Sequence, residues 1–584
     1  MRSGPREVRP FGDGAVLVGA ADARDARRLA AAIDAARWPG VDDVVGGFES
    51  VLVVVDPAVV DPVTIGERVA GLELAGPERF GDVSSAGGAS AAGLESAVGR
   101  EVRLPVWFGG PDTDDVCDAA GVEPDELARL LAGAVLEVAV VGFSPGFAYL
   151  TGLPDVLRSV PRRDRPRPSV PAGSVALAGG YAAVYPQSTP GGWQLVGHTD
   201  RPLFDAARPP FTLLRPGDTV RFDPVGLAAA GAPGAAGAIG GAGAMGGWPD
   251  GGRPRRPRLE PPPGVPTVLV VEDPGLLTLV EDGGRRGVAR LGVPTAGPAD
   301  PVAHALANRL VGNPVGAAAL EMTAAGPTLR CVEAGHLAVV GGDPPVTVDG
   351  YPVGDGHVVP LAPGQQVAVG RLRTGLRAYL AWAGGLVVPD VLGSRSTDRL
   401  TSLGPGRLQA GDRLGAGPAT GRLADRLGPD GAVDRDGDRG GRGDVVSLRV
   451  LPGPHPDRFP PTVLDDLAAA PMTVDGASDR IGLRLDGPVR RAPGELTSLG
   501  MVTGAVQVPP DGRPVVLGPD HATLGGYPVA AVVITADRWK LGQCRPGDRV
   551  RFVPATVAEA VAARVALDRS MAAAVVGRFP TAAG

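Results

Sequence analysis

The apolar and polar positions of the chain change period along its length. DARDARRLAAAIDAAR (22–37) and EPDELARLLAGAVLEV (123–138) repeat at helical spacing and predict two helices. Asp300-Pro301 followed by VAHALANRLVGN places an N-cap and a first-turn proline, and predicts a third. VAEAVAARVALDRSMAAAVVGR near the C-terminus predicts a surface helix. Most other apolar runs are short and bounded by Gly or Pro, as in AVLVGA and VLVVVD, and read as strands. Residues 1–100 mix both periods and predict a small α/β domain. The remainder reads as mainly β.

A pattern recurs. GSVALAGGYAAVYPQSTPGGWQLVGHT leads to LLRPGDTVRF, and GAVQVPPDGRPVVLGPDHATLGGYPVAAVVITAD leads to QCRPGDRVRF. Each holds G-[SA]-V, then Gly-Gly-aromatic, then R-P-G-D-x-V-R-F. The last piece is a turn entering an alternating strand. Three elements in one order predict duplicated β-barrels, with a partial third copy at LAPGQQVAVG (361–370) or LQAGDRL (408–414). The expected organisation is an α/β domain at 1–100, a barrel at 101–224, a Gly/Ala/Pro linker at 225–265, a barrel at 266–415, a loop at 416–444, a barrel at 445–555 and a helix with tail at 556–584.

Composition narrows the function. Gly (89) and Pro (61) form about a quarter of the 584 residues, which suits a turn-rich β protein. The net charge is −7 and no basic stripe stands out, which argues against a nucleic-acid partner. No apolar run is long enough to span a membrane, and the N-terminus lacks a signal core, so a cytoplasmic protein is expected. Cys117, Cys331 and Cys544 are too far apart for a metal or disulfide pattern. Lys540 is the sole lysine, which rules out a P-loop and a biotin-bearing Met-Lys-Met turn.

VVGFSPGFAYL (140–150) contains a formal G-x-S-x-G. A nucleophile elbow needs a backbone N–H after the serine and a helix beyond it. Pro145 has no N–H, and FAYLTGLPDV is a poor helix start. Ser144 is therefore not expected to be a nucleophile, and Phe143, Phe147 and Tyr149 read as the wall of a pocket or core. PRRDRPR carries Arg162, Arg163, Arg165 and Arg167, either a solvated face or an anion site. Trp193, Gln194 and His198 follow a Gly-Gly turn, with His198 a proton-transfer or structural residue. In the second half Asp282 and Arg285 (EDGGRRG), Arg395, Ser396 and Asp398 (GSRSTDRL), and Asp479 and Arg480 (ASDRIGLRL) repeat Asp, Arg and Ser. They either fix loops in pairs or converge on one cleft.

At these residues the chain resembles two families. GFSPGFAYLTGLP, PRRDRPRPSVPAGSVALAGG, YPQSTPGGWQLVGHT and LRPGDTVRF resemble allophanate hydrolase subunit 1. That family includes the B subunit of 5-oxoprolinase and the Kip-type inhibitor of a sporulation histidine kinase. EDGGRRG, GVPTAGPADPVAHALANRLVGN, AALEMT, LGSRSTDRL, SDRIGLRLDG, GAVQVP, LGGYP and RPGDRVRF resemble its companion, the subunit 2 family. That one includes the C subunit of 5-oxoprolinase, and both resemble the carboxyltransferase part of urea amidolyase. The resemblance implies cyclophilin-like barrels in both halves of a B–C fusion. It implies ATP-dependent opening of 5-oxoproline to glutamate with the separate A subunit of 5-oxoprolinase, ATP carrying Mg, and biotin not attached to this chain. It allows self-association. From charge chemistry and loop placement, His198, Asp398 and Asp479 are the expected catalytic groups, Gln507 and Tyr527 join the expected substrate or ATP contacts, and no metal ligands are expected. The chain departs from the family pattern at Leu131 and Leu136, where a His and a Tyr are expected, and at Glu281, where a Gln is usual.

Overall fold

The computed structural model describes residues 6–72, 99–225, 257–353, 356–419, 421–424, 426–427, 445–494 and 496–576. Most of the linker expected at 225–265 and most of the loop expected at 416–444 lie outside these residues.

The chain opens with four antiparallel strands, Val8–Pro10, Ala15–Gly19, Val41–Gly46 and Ser50–Val55, ordered first, second, fourth, third. Helices Ala23–Ala36 and Pro62–Ala70 cover this sheet. The first is the predicted one. Asp22 caps it by accepting from the Asp25 N–H, and Ala26, Leu29 and Ile33 bury one stripe. The helix predicted at 123–138 is shorter, Pro124–Gly133. Beyond Ala134 the β-branched run enters the strand Leu136–Val141, because barrel pairing overrides the helical period there. The Asp300 cap forms as expected, accepting from the Ala303 N–H at the head of Pro301–Leu310. The C-terminal helix is Val557–Ala573, started by a Thr556–Glu559 capping box.

Two seven-stranded barrels close, one in each half. Around the first run Tyr181–Val184, Ala148–Thr151, Leu136–Val141, Thr219–Pro224, Glu101–Phe108, Gln194–His198 and Ser174–Ala178. Around the second run Val515–Leu517, Gly482–Asp486, Met472–Val474, Arg549–Pro554, Val445–Pro452, Val529–Val533 and Ala505–Gln507. Matched in chain order, the two rings are the same. Each is closed by its first and last strands lying parallel, Glu101 beside Thr219 and Val445 beside Arg549. All other neighbours are antiparallel.

An R-P-G-D turn leads into each closing strand. The Asp218 carboxylate accepts from the Arg215 N–H, and the turn exchanges backbone bonds with Val138 in both directions. Asp548 repeats this with Arg545 and Val474. Asp412 repeats it with Gln409 and Val271, so LQAGDRL is a third copy of the turn. Gly217, Gly411 and Gly547 hold φ of 94°, 87° and 88°, values an L side chain resists. The third copy does not close a barrel. Where 266–415 was expected to form one, a seven-stranded and a five-stranded sheet stand instead. The strand after this turn, Arg413–Ala416, runs antiparallel to Thr267–Asp273 and continues to the sheet edge at Leu386–Val387.

The halves are not independent. One apolar core joins Phe11, Leu17 and Phe48 of the N-terminal sheet, Phe147, Tyr149, Tyr185 and Trp193 of the first barrel, and Leu499, Met501, Leu517 and Leu524 of the second half. A Gly547→Ala chain should lose about 1–3 kcal/mol of stability, read as a lower thermal midpoint. Gly476→Ala, with nothing within 4 Å of the added Cβ, should stay near wild type. Equal midpoints for both variants would contradict the role given to the turn.

Candidate functional site

Two clusters carry the chemistry. The first is built on the GFSPGF loop. Gly142 accepts no side chain, since a Cβ there would lie 2.3 Å from Leu524, and Phe143 is held at a left-handed φ of 71°. The Gly146 N–H donates to the Leu291 carbonyl of the second half. The chain then enters the strand Ala148–Thr151, not a helix. Ser144 is fully buried and its hydroxyl meets no partner, so no base is hydrogen-bonded to it. Phe147 sits at the centre of an edge-to-face aromatic group, 5.3 Å from Phe143, 5.1 Å from Tyr149 and Tyr185, and 5.7 Å from Trp193. Gln507 belongs here too. Its amide lies on Met501 and against Gly525, in the second-half face of the same core. Tyr527 is half-buried two residues beyond Gly525.

The arginine loop flanks this wall. Arg163 and Arg167 both donate to one oxygen of buried Asp112, at 2.7 and 2.6 Å, while the other oxygen accepts from the Leu195 N–H. Arg163 also reaches the Asp115 carboxylate at 3.7 Å, so two guanidiniums stand against two acids. The exposed Arg162 lies beside them, and its field reaches Tyr149, Tyr181 and Tyr185. The Nε of Arg163, Nη1 of Arg167 and Oε1 of Gln194 are buried without partners. His198 stands apart. It lies four residues further along the Gln194 strand, roughly 13 Å away, and its Nε2 meets Asp200 at 2.8 Å. A bulge between Leu195 and Gly197 also breaks the alternation that would have put the two side chains on one face.

The second cluster is ionic and dry. Arg480 is fully enclosed; it donates twice to Asp520 (2.9 and 2.8 Å), to Glu321 (2.6 Å) and to the Gly297 carbonyl (2.6 Å). Glu321 also accepts from Arg377, the Tyr379 hydroxyl and the Ala299 N–H. Burial pushes the Glu321 carboxyl up, but these donors, above all Arg480, outweigh it and hold the group down at about 2. Glu281 has no such set. It is 3.5 Å from Arg480, neither oxygen accepts a hydrogen bond, and burial drives its carboxyl well above the usual range. Burial and the charge of Asp520 push Asp398 to about 7, against the hydrogen bonds of Thr401 and Leu400. Arg285 donates to the Val391 and Ser396 carbonyls, with Nη1 buried and unpartnered. The cluster thus pairs acids held ionised with acids held neutral, an arrangement suited to moving a proton.

The remaining predicted residues have structural partners. Asp282 accepts from the Ser394 and Ser396 hydroxyls and the Arg395 and Gly284 N–H groups, which knots two loops together. Arg395 donates its Nε to the Val388 carbonyl. Asp479 does not join the cleft expected for it. It is exposed and accepts from Ile481 and Gly482 in its own turn, because the turn that buries Arg480 leaves the preceding side chain outside. Sequence reasoning missed Glu321, Arg377 and Tyr379 as site residues. A glutamate inside the apolar strand ALEMT was the available signal.

Comparison with known proteins agrees with this division. The carboxyltransferase domain family matches twice, subdomains C and D over residues 6–214 and subdomains A and B over 291–554. The chain is 37% identical over 295 residues to the C subunit of 5-oxoprolinase from Escherichia coli K12, spanning 50% of this chain and 92% of that protein. It is 48% identical over 128 residues to the B subunit of 5-oxoprolinase from Escherichia coli O157:H7, spanning 21% of this chain and 58% of that protein. The crystal structure of TTHA0988 superposes with a TM-score of 0.76 at 32% identity, over 94% of this chain and all of that one. The chain belongs to the carboxyltransferase-domain family, with a half like the B subunit followed by a half like the C subunit.

Two outcomes follow from the site. Ser144→Ala should keep turnover within about tenfold, whereas loss of a nucleophile costs roughly a million-fold; a collapse on that scale would refute the packing role. Asp398 ionises near 3.8 when unfolded and near 7 when folded. Between these values the folded chain holds a proton that the unfolded chain has lost, so this group's effect is a loss of stability as pH rises from about 4 to about 7. Asp398→Asn should reduce that decline in urea denaturation at pH 5 and pH 7.5. Parallel wild-type and variant trends would show that Asp398 titrates normally.

Proposed function

We propose that this chain is the fused B–C component of an ATP-dependent 5-oxoprolinase, opening 5-oxo-L-proline to L-glutamate together with a separate A subunit. The observation that carries the reading is the shared core. Homologues of two 5-oxoprolinase subunits lie in one chain and bury Phe147, Trp193, Met501 and Leu524 against each other. A further partner chain is the natural complement, since both relatives are named as subunits of one enzyme. No described helix is long and apolar enough to cross a membrane.

The described residues fit ATP with Mg poorly. No group of three or more His, Cys, Asp or Glu among them could hold a metal ion. Lys540 is spent on Asp537 at 3.4 Å and on the Ser447 carbonyl. That lysine is buried, which also makes it unsuitable as a biotin carrier, and this disfavours a self-contained biotin carboxyltransferase. We therefore derive no step through the nucleotide, and leave its binding to the complex with the A subunit. What this chain contributes is a dry acid–arginine cluster for proton movement, while Phe143, Phe147, Tyr149 and Trp193, expected as a pocket wall, pack a core between the halves.

Reconstitution decides the reading. The purified chain with the A subunit, ATP, Mg and 5-oxoproline should release glutamate, with either protein alone inactive. Absence of glutamate from the full mixture would reject it, and tight binding of a histidine kinase without turnover would favour a Kip-type regulator.

A further inference from the structure

A cleft of about 420 Å³ opens where the N-terminal sheet, the 283–302 segment, the C-terminal barrel and the C-terminal helix meet. It is separate from the Arg163–Asp112 group and from the Arg480 cluster, and its volume falls in the range of small-molecule sites. Three arginines, four aspartates and a histidine line it, and most are already matched. Arg286 pairs with Asp42 at 3.0 Å and reaches Asp56 at 4.0 Å. Arg564 pairs with Asp568 at 3.2 Å, and Asp43 accepts from the Ala289 N–H. His521 is kept neutral by burial.

Arg538 is the exception. No ion pair or hydrogen bond joins it to a described residue, and its Nε is buried without a partner. Asp13, whose charge reaches it, is engaged with the Thr535 N–H and hydroxyl. Thr523, only 3% exposed, also lines the cleft with its hydroxyl unpartnered. A half-buried guanidinium with a buried, unpartnered Nε, and a buried hydroxyl with no partner, are costly unless a ligand supplies the acceptor. Asp43 and Asp56 also line the cleft; they repel a multiply charged phosphate and suit an N–H donor. Met501, Val54 and Trp539 supply the apolar surface.

We infer that this cleft binds a small monocarboxylate carrying an N–H group, an α-amino acid or its lactam, with the carboxylate on Arg538 and Thr523 and the N–H toward Asp43 and Asp56. This rests on the proposed function for its choice of ligands, since 5-oxoproline and glutamate are the lactam and the open amino acid of that reaction. Every wall comes from a different part of the chain. The site exists only when the two halves are packed together, and a fused chain guarantees that.

Calorimetric titration of the whole chain, with the A subunit left out, tests it. 5-Oxoproline, glutamate and inorganic phosphate are the probes. Either organic ligand should bind in the millimolar range or tighter, phosphate more weakly, and the stronger of the two identifies a substrate or a product site. Arg538→Met should weaken binding at least thirtyfold, the lower end of what losing a desolvated charged partner costs. Thr523→Val, which keeps the shape and volume of the side chain, should weaken it about fivefold to tenfold. Binding that neither variant changes, or no binding of either organic ligand to wild type, overturns the site. Binding that depends on Arg538 in a chain giving no turnover in the reconstituted mixture would keep the site and reject the oxoprolinase reading. Turnover with no dependence of binding on Arg538 would do the reverse.

Discussion

A guanidinium with no water around it must be surrounded by acceptors, and Arg480 sets that condition for the second half of the molecule. It projects from a loop of the C-terminal barrel. Its acceptors come from the C-terminal half (Asp520), from the interior strand Ala319–Thr323 of the five-stranded sheet (Glu321) and from the loop at Gly297. Removing one member of such a set typically costs about 3–5 kcal/mol, because the others stay buried and uncompensated. The barrel and the sheets are thus held in one orientation by charge, whereas ordinary apolar contact would tolerate sliding.

The first half is joined to the second by different means. There the contact is apolar and aromatic, and its precision comes from close backbone approach. Gly142 meets Leu524 and Gly292 meets the Ser144 carbonyl, both too closely for a Cβ. A serine in an elbow-like motif therefore ends as packing, while the phenylalanines beside it do the joining. The charge of Arg162 reaches Tyr149 of the same wall, so the element that binds the halves also adjoins the arginine loop of the first barrel.

The repeated turn shows how one local motif serves two outcomes. In all three copies the Asp caps its own turn and the glycine takes a left-handed φ, so the local geometry is identical. In two copies the strand that follows finds the first strand of its own barrel and runs parallel to it. In the third, the following strand pairs antiparallel with Thr267–Asp273 and no ring forms. Closure is a property of the partner strand, not of the turn.

That distinction marks what was legible in the sequence. The α/β opening, the capped helices at 22–37 and 301, the duplicated turn and the exclusion of Ser144 all follow from local rules: caps, periodicity, and an N–H that proline lacks. The aromatic wall was legible for the same reason, since Phe143, Phe147 and Tyr149 are near neighbours in the chain. The ionic cluster was only half legible. Arg480, Arg285 and Asp398 stood out by residue type, but Glu321 lies 159 residues from Arg480, and nothing local distinguishes a buried acid from a solvated one. His198 and Asp479 were read as site groups because they adjoin conspicuous residues, and a bulge and a turn direct them elsewhere. Burial and long-range pairing decide which charges are ionised and which atoms lack partners, and both depend on segments that meet only when the chain is folded.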